Sequence, residues 1–455
     1  RVSIGMCLYF GLLYNSGGNC QSYYGKANFE ETAAMAGVTG QDIVRCKANL
    51  MDMKISVISS HKISVRAVVL VTVSAEEIYD REVIKKIEMD NVRDERLEVR
   101  MMKLIANRKD TFRIRESVNI NQGMSNIGEI IWQELRVKDL CFTPADGRID
   151  VKGNLSFFVI YQGENGGELN YYDNVVPFSG SLDISNGRQE DVYDINIVSC
   201  EKSLISRNDG NGETRIFDGE IIMSLDICGY RNEDVSLLTD IYAPGYEITP
   251  KTEKLEYERL VENKVVDIDI NERIKNEDGG KIIYTCGDVI VDEIIQKDNK
   301  VDIEGTISVQ IMMEDKEAMP PITVSHHDIP FSYQAGMDKY EKDSELCGKV
   351  NNISLYSKRI SDKEISVNGT IKMEIMAKST TTTPVVINAD VEKVPKEKLK
   401  NIPGITGYIV KEGDTLWNIA KRFYTTADSI MEANNLENDM IYPGMKLIIL
   451  KLYCF

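Results

Sequence analysis

"DGRIDVKGNLSFFVIYQ" (Asp146–Gln162) and "DNKVDIEGTISVQIMME" (Asp298–Glu314) read as one strand written twice. Apolar and polar residues alternate about a central glycine, Gly153 in the first and Gly305 in the second. Period-two alternation marks a β-strand with one buried face. Each strand is followed by the same type of tetrapeptide, "VPFS" (Val176–Ser179) and "IPFS" (Ile329–Ser332). Beyond that comes a third matching strand, "FDGEIIMSLDI" (Phe217–Ile227) and "VNGTIKMEIMA" (Val367–Ala377). An earlier stretch, "SVRAVVLVTVS" (Ser64–Ser74), fits this third strand with Ala67 where the glycine falls. The chain is therefore a tandem repeat whose first copy is degenerate or truncated, without the "PFS" turn.

Within a unit, "VDIEGTISVQIMM" (Val301–Met313) and "ISVNGTIKMEIMA" (Ile365–Ala377) also resemble each other, so the unit carries a duplicated half. Turns such as "GENGGE" (Gly163–Glu168), "NDGNG" (Asn208–Gly212) and "KDNK" (Lys297–Lys300) punctuate the strands, as antiparallel hairpins require. The expected fold is mostly β: tandem antiparallel, sandwich-like repeats followed by a small β-α-α-β module. The boundaries read as an unassigned segment 1–36, a first repeat 37–115, a second 116–250, a third 251–390, a linker 391–406 and the terminal module 407–451. "NIGEIIWQEL" (Asn126–Leu135) is expected as a short helical or extended connector. "STTTTP" (Ser379–Pro384) and "VEKVPKEKLKNIPG" (Val391–Gly404) have the composition of a polar linker.

Bulk composition excludes some functions. The chain has 455 residues, 42% hydrophobic and 28% charged, with a formal net charge of −18. No Lys/Arg block offsets that charge, which argues against nucleic acid and against a polybasic membrane contact. Nine cysteines are scattered without a CxxC pair. This is the pattern of a reducing compartment, with most of them acting as small buried hydrophobes. Near the N-terminus "IGMCLYFGLLY" (Ile4–Tyr14) is apolar like a signal-peptide core, but too short to span a bilayer and followed by no small-x-small cleavage site. A buried strand, or a chain beginning mid-domain, explains it better.

The terminal module begins at "GYIVKEGDTLWNIAKRFYTTADSIMEANNL" (Gly407–Leu436). Tyr408–Lys411 reads as a strand, "EGD" as a turn, and Asp414 as the N-cap of a helix starting at Thr415. Leu416, Ile419, Ala420 and Phe423 recur at i, i+3, i+4 and i+7, giving one buried face. Thr426 caps a second helix with Ala427, Ile430 and Met431 inward, and "IYPGMKLIIL" (Ile441–Leu450) supplies a turn and a returning strand. Trp417 lies off the buried stripe, where it suits an interaction anchor.

On these residues, "YIVKEGDTLWNIA" (Tyr408–Ala420), "ANNL" (Ala433–Leu436) and "IYPG" (Ile441–Gly444), the module resembles the LysM family. The glycine-centred strands with their "(V/I)PFS" turns resemble SPOCS-domain proteins of spore-forming clostridia, over roughly residues 40–390. The LysM resemblance implies a shallow groove for N-acetylglucosamine polymers, between Gly413, Asp414, Thr415 and Leu416 on one side and Ile441, Tyr442 and Pro443 on the other. The same positions also serve folding, since Asp414 and Thr415 are what a helix start wants and Leu416 is core.

No GxSxG, HExxH or GxxxxGK[ST] pattern occurs, and the three histidines do not form a ligand set. His326 and His327 are adjacent in a strand-like stretch and point to opposite faces, while His61 stands alone. "EDGG" (Glu277–Gly280) is turn chemistry, with no lysine placed to complete a phosphate cradle. The chain reads as a non-enzyme with no cofactor and no metal.

Two functions from different classes remain. The SPOCS resemblance implies a structural adaptor of spore coat assembly, acting in the mother-cell cytoplasm at the forespore surface. Its implied partner there is the spore morphogenetic ATPase SpoIVA, bound by the LysM module. The alternative is a cell-wall or spore-cortex protein that binds peptidoglycan, or a chitin-like glycan, through the same groove. A wall hydrolase would need catalytic residues in the repeats, and none is evident.

Overall fold

The computed structural model describes residues 1–451 other than 18, 165, 167–168, 277–278, 316, 318–320, 340, 343, 396 and 399–400. Cys454 and part of the "GENGGE" and "EDGG" turns therefore lie outside the described residues, as do three positions of the expected linker. The chain divides into two compact units, each assembled from separate stretches. One comprises Arg1–Tyr79, Lys103–Arg231 and Leu260–Ser379; the other comprises Asp80–Met102, Asn232–Arg259 and Thr380–Phe455.

In the first unit the alternating sequence folds as the pattern requires. Strands β1 (Val2–Ser16) and β2 (Asn19–Ala33) form one hairpin, and β3 (Ile43–Ser59) and β4 (Lys62–Glu76) another. A first complete set follows: β5 (Arg93–Asn119), β6 (Ile127–Ala145), β7 (Arg148–Gly163), β8 (Leu169–Asp183), β9 (Val192–Asn208) and β10 (Thr214–Tyr242). These pair as two three-stranded sheets, β6-β7-β8 and β5-β10-β9. The next set repeats the order with β11 (Tyr246–Lys275), β12 (Lys281–Lys297), β13 (Lys300–Glu314), β14 (Ile322–Gly336), β15 (Glu345–Ser361) and β16 (Glu364–Lys393). Its sheets are β12-β13-β14 and β11-β16-β15. In both sets the second to fourth strands make one layer, and the first, last and fifth make the other. The duplicated half read from β13 and β16 is thus the pair of central strands, one in each layer.

The apolar phase of each central strand faces the other layer. Ile149, Val151, Leu155, Phe157, Val159 and Tyr161 of β7 pack with Phe217, Ile221, Met223, Leu225 and Ile227 of β10 in one core. Val301, Ile303, Ile307, Val309, Ile311 and Met313 of β13 pack with Ile365, Val367, Ile371, Met373 and Ile375 of β16 in the equivalent core. The central glycines occupy inward positions of these rows, and each makes room for a large neighbour. Gly153 pairs across the ladder with Phe178 of the "VPFS" stretch, and Gly305 with Phe331 of "IPFS". A Cβ on Gly153 would stand 2.7 Å from the Phe178 ring, and one on Gly305 2.7 Å from that of Phe331 and 2.4 Å from the Ile290 carbonyl oxygen. The paired motif seen in the sequence is therefore a phenyl ring laid over the bare backbone of its cross-strand glycine.

The run "SFFVIY" in β7 is apolar on both faces because both are covered. Phe157 and Val159 face the sandwich interior, while Phe158 and Ile160 enter a second cluster with Ile131, Met312 and Ile322. There Phe158 stacks on Tyr284 of β12 with ring centroids 4.1 Å apart, and Trp132 of β6 stacks on Tyr24 of β2 at 5.6 Å. Opposite charges are joined in the same unit. Asp194 of β9 takes Arg45 of β3 and Lys349 of β15, and the Tyr230 hydroxyl of β10 accepts from Arg45 and donates to Glu76 of β4. Burial pushes the Lys349 ammonium down in pKa, against the opposing pull of Asp194.

"NIGEIIWQEL" is extended, one of the two forms expected of it, and from Ile127 onward it opens β6. Three local expectations are corrected. The "VPFS" and "IPFS" stretches are not turns but lie within strands β8 and β14. "STTTTP" and the first residues of "VEKVP" continue strand β16, because a β-branched run that buries Thr383, Val385 and Val386 suits a strand better than a linker. The cysteines are not mostly buried. Of the eight described only Cys228 is buried, whereas Cys7, Cys46, Cys141, Cys200 and Cys347 are exposed. They occupy solvent-facing positions of strands that are covered on one side only.

The two N-terminal hairpins lack the cover that the complete sets have. Val65, Ala67, Val69, Val71 and Val73 of β4 are only half-buried, although Ile365, Val367, Ile371, Met373 and Ile375 of the matching row in β16 are fully buried. Val57, Ile58, Val68 and Leu70 are exposed.

The second unit gathers the Asp80–Met102 stretch, the end of β10, the start of β11 and the end of β16 around Val99, Leu237, Leu255 and Val385, with a second cluster of Leu238, Ile241 and Val386. It also contains the terminal module: β17 (Ile405–Ile409), α1 (Leu416–Phe423), α2 (Ala427–Asn434) and β18 (Lys446–Leu450), with β17 and β18 antiparallel.

Gly305→Val is expected to lower stability by about 2–4 kcal/mol, since the Phe331 ring and the Ile290 carbonyl cannot both yield; thermal melting checks this, and an unchanged midpoint would contradict the ring-over-glycine account. In hydrogen exchange, amides of β3 and β4 should exchange at least about tenfold faster than those of β7 and β13. Equal protection would mean that the hairpin's cover is as complete as theirs.

Candidate functional site

The module's sequence sets its own frame. Thr415, one residue later than expected, is the N-cap of α1: its hydroxyl oxygen accepts from the Asn418 amide at 3.1 Å. Asp414 has a different task. Its carboxylate accepts from the Lys411 amide at 2.8 Å and from the Tyr408 hydroxyl at 2.7 Å, closing the turn before the helix. The Lys411 amide first, and the Tyr408 hydroxyl after it, hold the Asp414 carboxyl below the usual carboxylate range. Gly413 takes a left-handed φ of 82° in this turn, a conformation that favours glycine. Thr426 caps α2 as the sequence reading expects, accepting from the Ser429 amide at 3.1 Å.

Val410 ties the second loop to the first. Its amide donates to the Met445 carbonyl at 2.9 Å and its carbonyl accepts from the Gly444 amide at 2.8 Å. The turn that carries Gly413 and Asp414, which starts at Lys411, and the turn that carries Tyr442 and Pro443 are thus both anchored next to Val410. Leu416 is buried in the module's core and Ile441 packs partly against it, so their backbones rather than their side chains line the loops. Tyr442 is 66% exposed, and Gly413, Thr415 and Pro443 are also open to solvent. The arrangement offers backbone amides and carbonyls beside one exposed aromatic ring, chemistry that suits acetamido groups and sugar faces and equally an extended peptide.

Trp417 is placed elsewhere. It is half-buried, and its indole Nε1 donates to Asp240 Oδ2 at 2.8 Å. Its ring meets that of Tyr242 edge-on at 4.7 Å. One turn further along α1, Lys421 donates to both oxygens of the same Asp240 carboxylate, at 2.6 and 2.9 Å. Asp240 and Tyr242 belong to the last residues of β10, and Tyr242, 4% exposed, is a member of the module's own core with Val410, Leu416, Ile419, Ala420, Ile430, Leu447 and Ile449. A second contact joins Glu247 of β11 to Lys398 and to the Tyr424 hydroxyl. Sequence reasoning missed Asp240, Tyr242, Lys421 and Glu247. Residues 177 positions apart leave no spacing signal.

Two other polar residues that sequence reasoning passed over lock the module internally. The Asn434 side chain donates to the carbonyls of Ile430 and Ile448 and accepts from the Ile448 amide, each at 2.7 Å, joining α2 to β18. Thr425 is fully buried and donates to the Leu450 carbonyl at 3.0 Å. Their signal, the "ANNL" stretch and the doubled threonine, was present in the sequence but is generic. Away from the module, His326 is exposed and His327 half-buried on neighbouring positions of β14. Among the described residues no group of three or more His, Cys, Asp or Glu side chains could hold a metal ion.

The sequence profile of the LysM domain matches residues 408–450, and that of the SipL SPOCS domain matches residues 126–201. Among curated proteins, the chain is 48% identical over 44 residues to a probable N-acetylmuramidase of Lactococcus lactis subsp. cremoris, covering 10% of each protein. It is 56% identical over 39 residues to probable endopeptidase p60 of Listeria monocytogenes, covering 9% of this chain and 8% of that one. A probable autolysin SsaALP of Staphylococcus aureus is 34% identical over 44 residues, 10% of this chain and 17% of its own. The chain thus spans about a tenth of the length of the curated relatives it matches first. These matches fall on the LysM region, and the two domains found are binding modules rather than catalytic ones. No solved structure matches.

Burial alone would push the Asp240 carboxyl up, but the hydrogen bonds from Lys421 and Trp417 together hold it below the usual range. A depressed carboxyl contributes its stability above the unfolded value of about 3.9 and loses it as pH falls through the folded value. With Trp132 replaced by Phe, Trp417 fluorescence should therefore stay constant from about pH 8 to 5 and change only below about pH 4. A transition centred above pH 5 would mean that another group controls this contact.

Proposed function

We propose that this chain, which joins a SipL-type SPOCS domain to a LysM module, is a non-enzymatic adaptor of spore coat or envelope assembly. The reading rests on one observation above others, the presence of both profiles in a single chain. In it, the β repeats at 116–250 and 251–390 are the scaffold, the earlier one taking its first strand from β5 (Arg93–Asn119), with a shortened repeat before it and the stretch after β16 leading to the module at 407–451. The LysM groove, formed by Gly413, Asp414, Thr415 and Leu416 with Ile441, Tyr442 and Pro443, takes a protein partner at the forespore surface. On the SPOCS resemblance that partner is SpoIVA and the compartment is the mother-cell cytoplasm. The acidic balance, and cysteines that are unpaired among the described residues, agree with an intracellular adaptor.

The second reading, binding of peptidoglycan, is favoured by the identity of the LysM region to proteins named as a muramidase, an endopeptidase and an autolysin. A single LysM copy supplies no avidity, so such binding would be weak without further copies. The groove chemistry serves either ligand.

The full chain is the bait that separates them, because Tyr242 of β10 is part of the module's core and a fragment of residues 400–451 would lack it. The chain should be retained by immobilised SpoIVA and not by insoluble peptidoglycan, and Tyr442→Ala should weaken retention by about tenfold. Retention by peptidoglycan alone would replace the adaptor reading with the wall-binding one.

A further inference from the structure

Helix α1 carries two faces with different work. Leu416, Ile419 and Ala420 enter the module's core, whereas Trp417 and Lys421, four residues apart and so on one side of the helix, both reach Asp240. An indole N–H and an ammonium on one half-buried carboxylate make a charge-assisted junction with a fixed direction. Two residues along β10, Tyr242 adds a ring that meets Trp417 edge-on and is buried with the module's own side chains. At the far end of the same helix, the Tyr424 hydroxyl donates to Glu247 of β11. The contact therefore runs along α1 from its first turn to its C-cap, and its partners come from both strands that flank the β10–β11 turn.

We infer that the end of β10 is a dock for the LysM module, in which Asp240 is the positioning residue and Trp417 an internal anchor withheld from the ligand. The inference rests on the reading of the groove given above. Both loops of that groove lie off the dock: Tyr442 and Pro443 are open to solvent, as are Gly413 and Thr415. A ligand can enter with the module in place. Thr415, the cap of the docked helix, is also the last open residue of the first loop, so the dock fixes the orientation of that loop as well. The tryptophan that sequence reasoning offered to an external partner is thus satisfied by the chain itself.

The test uses the full chain with Trp132→Phe, so that Trp417 is the one indole. Asp240→Ala should move Trp417 emission to the red and raise its quenching by acrylamide at least about twofold. Asp240→Glu should restore most of both, while the thermal midpoint of the β repeats stays unchanged. Unaltered emission and quenching in Asp240→Ala would overturn the dock. Soluble peptidoglycan fragments and SpoIVA, added separately to the parent chain, should leave Trp417 emission as it was, with binding followed independently by sedimentation. An emission change on binding would overturn the claim that Trp417 is withheld from the ligand. If neither probe sediments with the chain, the reading of the groove fails, whereas the Asp240→Ala result still decides the dock.

Discussion

Each complete β set depends on closing two three-stranded layers over one another, and the closure turns on where side chains are missing. A central strand that carried a Cβ at every inward position would leave no space for the rings arriving from the edge strand or the facing layer. Gly153 and Gly305 accept the rings of their cross-strand partners, Phe178 and Phe331, while Gly219 accepts that of Phe157 from the other layer. Glycine weakens a strand, so its position in the middle of a well-ordered one needs a compensating contact. The ring supplies it by covering the exposed backbone and adding apolar area to the core. The cost and the compensation are written in the sequence as two separated motifs, which explains why they recur together.

The same closure accounts for the difference between the copies. In the complete sets the first strand lies beside the last, and Ile365, Val367, Ile371, Met373 and Ile375 of β16 beneath it are fully buried. The β3–β4 hairpin has an equivalent alternating row in β4 but pairs only as two strands, so half of that row's burial is missing. Alternation in sequence records that a strand has an inner face. It does not record how well the face is covered, because cover is supplied by strands distant in the chain.

That distinction marks what was legible. Period-two patterning and the recurrence of a central glycine and a "PFS" stretch were enough to establish a β-rich tandem architecture, although that stretch was read as a turn and lies within β8 and β14. The i, i+3, i+4, i+7 stripe gave the β-α-α-β module. Three kinds of feature were not. A threonine-rich strand was read as a linker, because polar composition looks the same whether or not Thr383 and its neighbours are buried. The α1 cap fell one residue from its expected place, because Asp414 and Thr415 are both good caps and only the turn closed by Lys411 and Tyr408 decides between them. Exposed cysteines were read as buried because frequency of burial is a property of the residue type and not of a position on a one-sided strand.

The terminal module shows the same limit acting on the candidate site. A unit of this size has little interior, and domains near the lower limit commonly recruit help from outside their own sequence. Here the help comes from Tyr242, an aromatic side chain at the end of a strand that the module's own segment does not contain. Once that ring is in the core, the residue beside it must face α1, and a carboxylate there would be left half-buried without a donor. Trp417 and Lys421 supply the donors, so the tryptophan's position off the buried stripe has an internal reason and needs no external ligand to account for it. The groove loops carry no such debt: their polar backbone is pinned through Val410 and Asp414 and otherwise faces solvent. On the proposed reading of the groove, support from one face and open backbone on another would let a ligand enter loops that are already ordered.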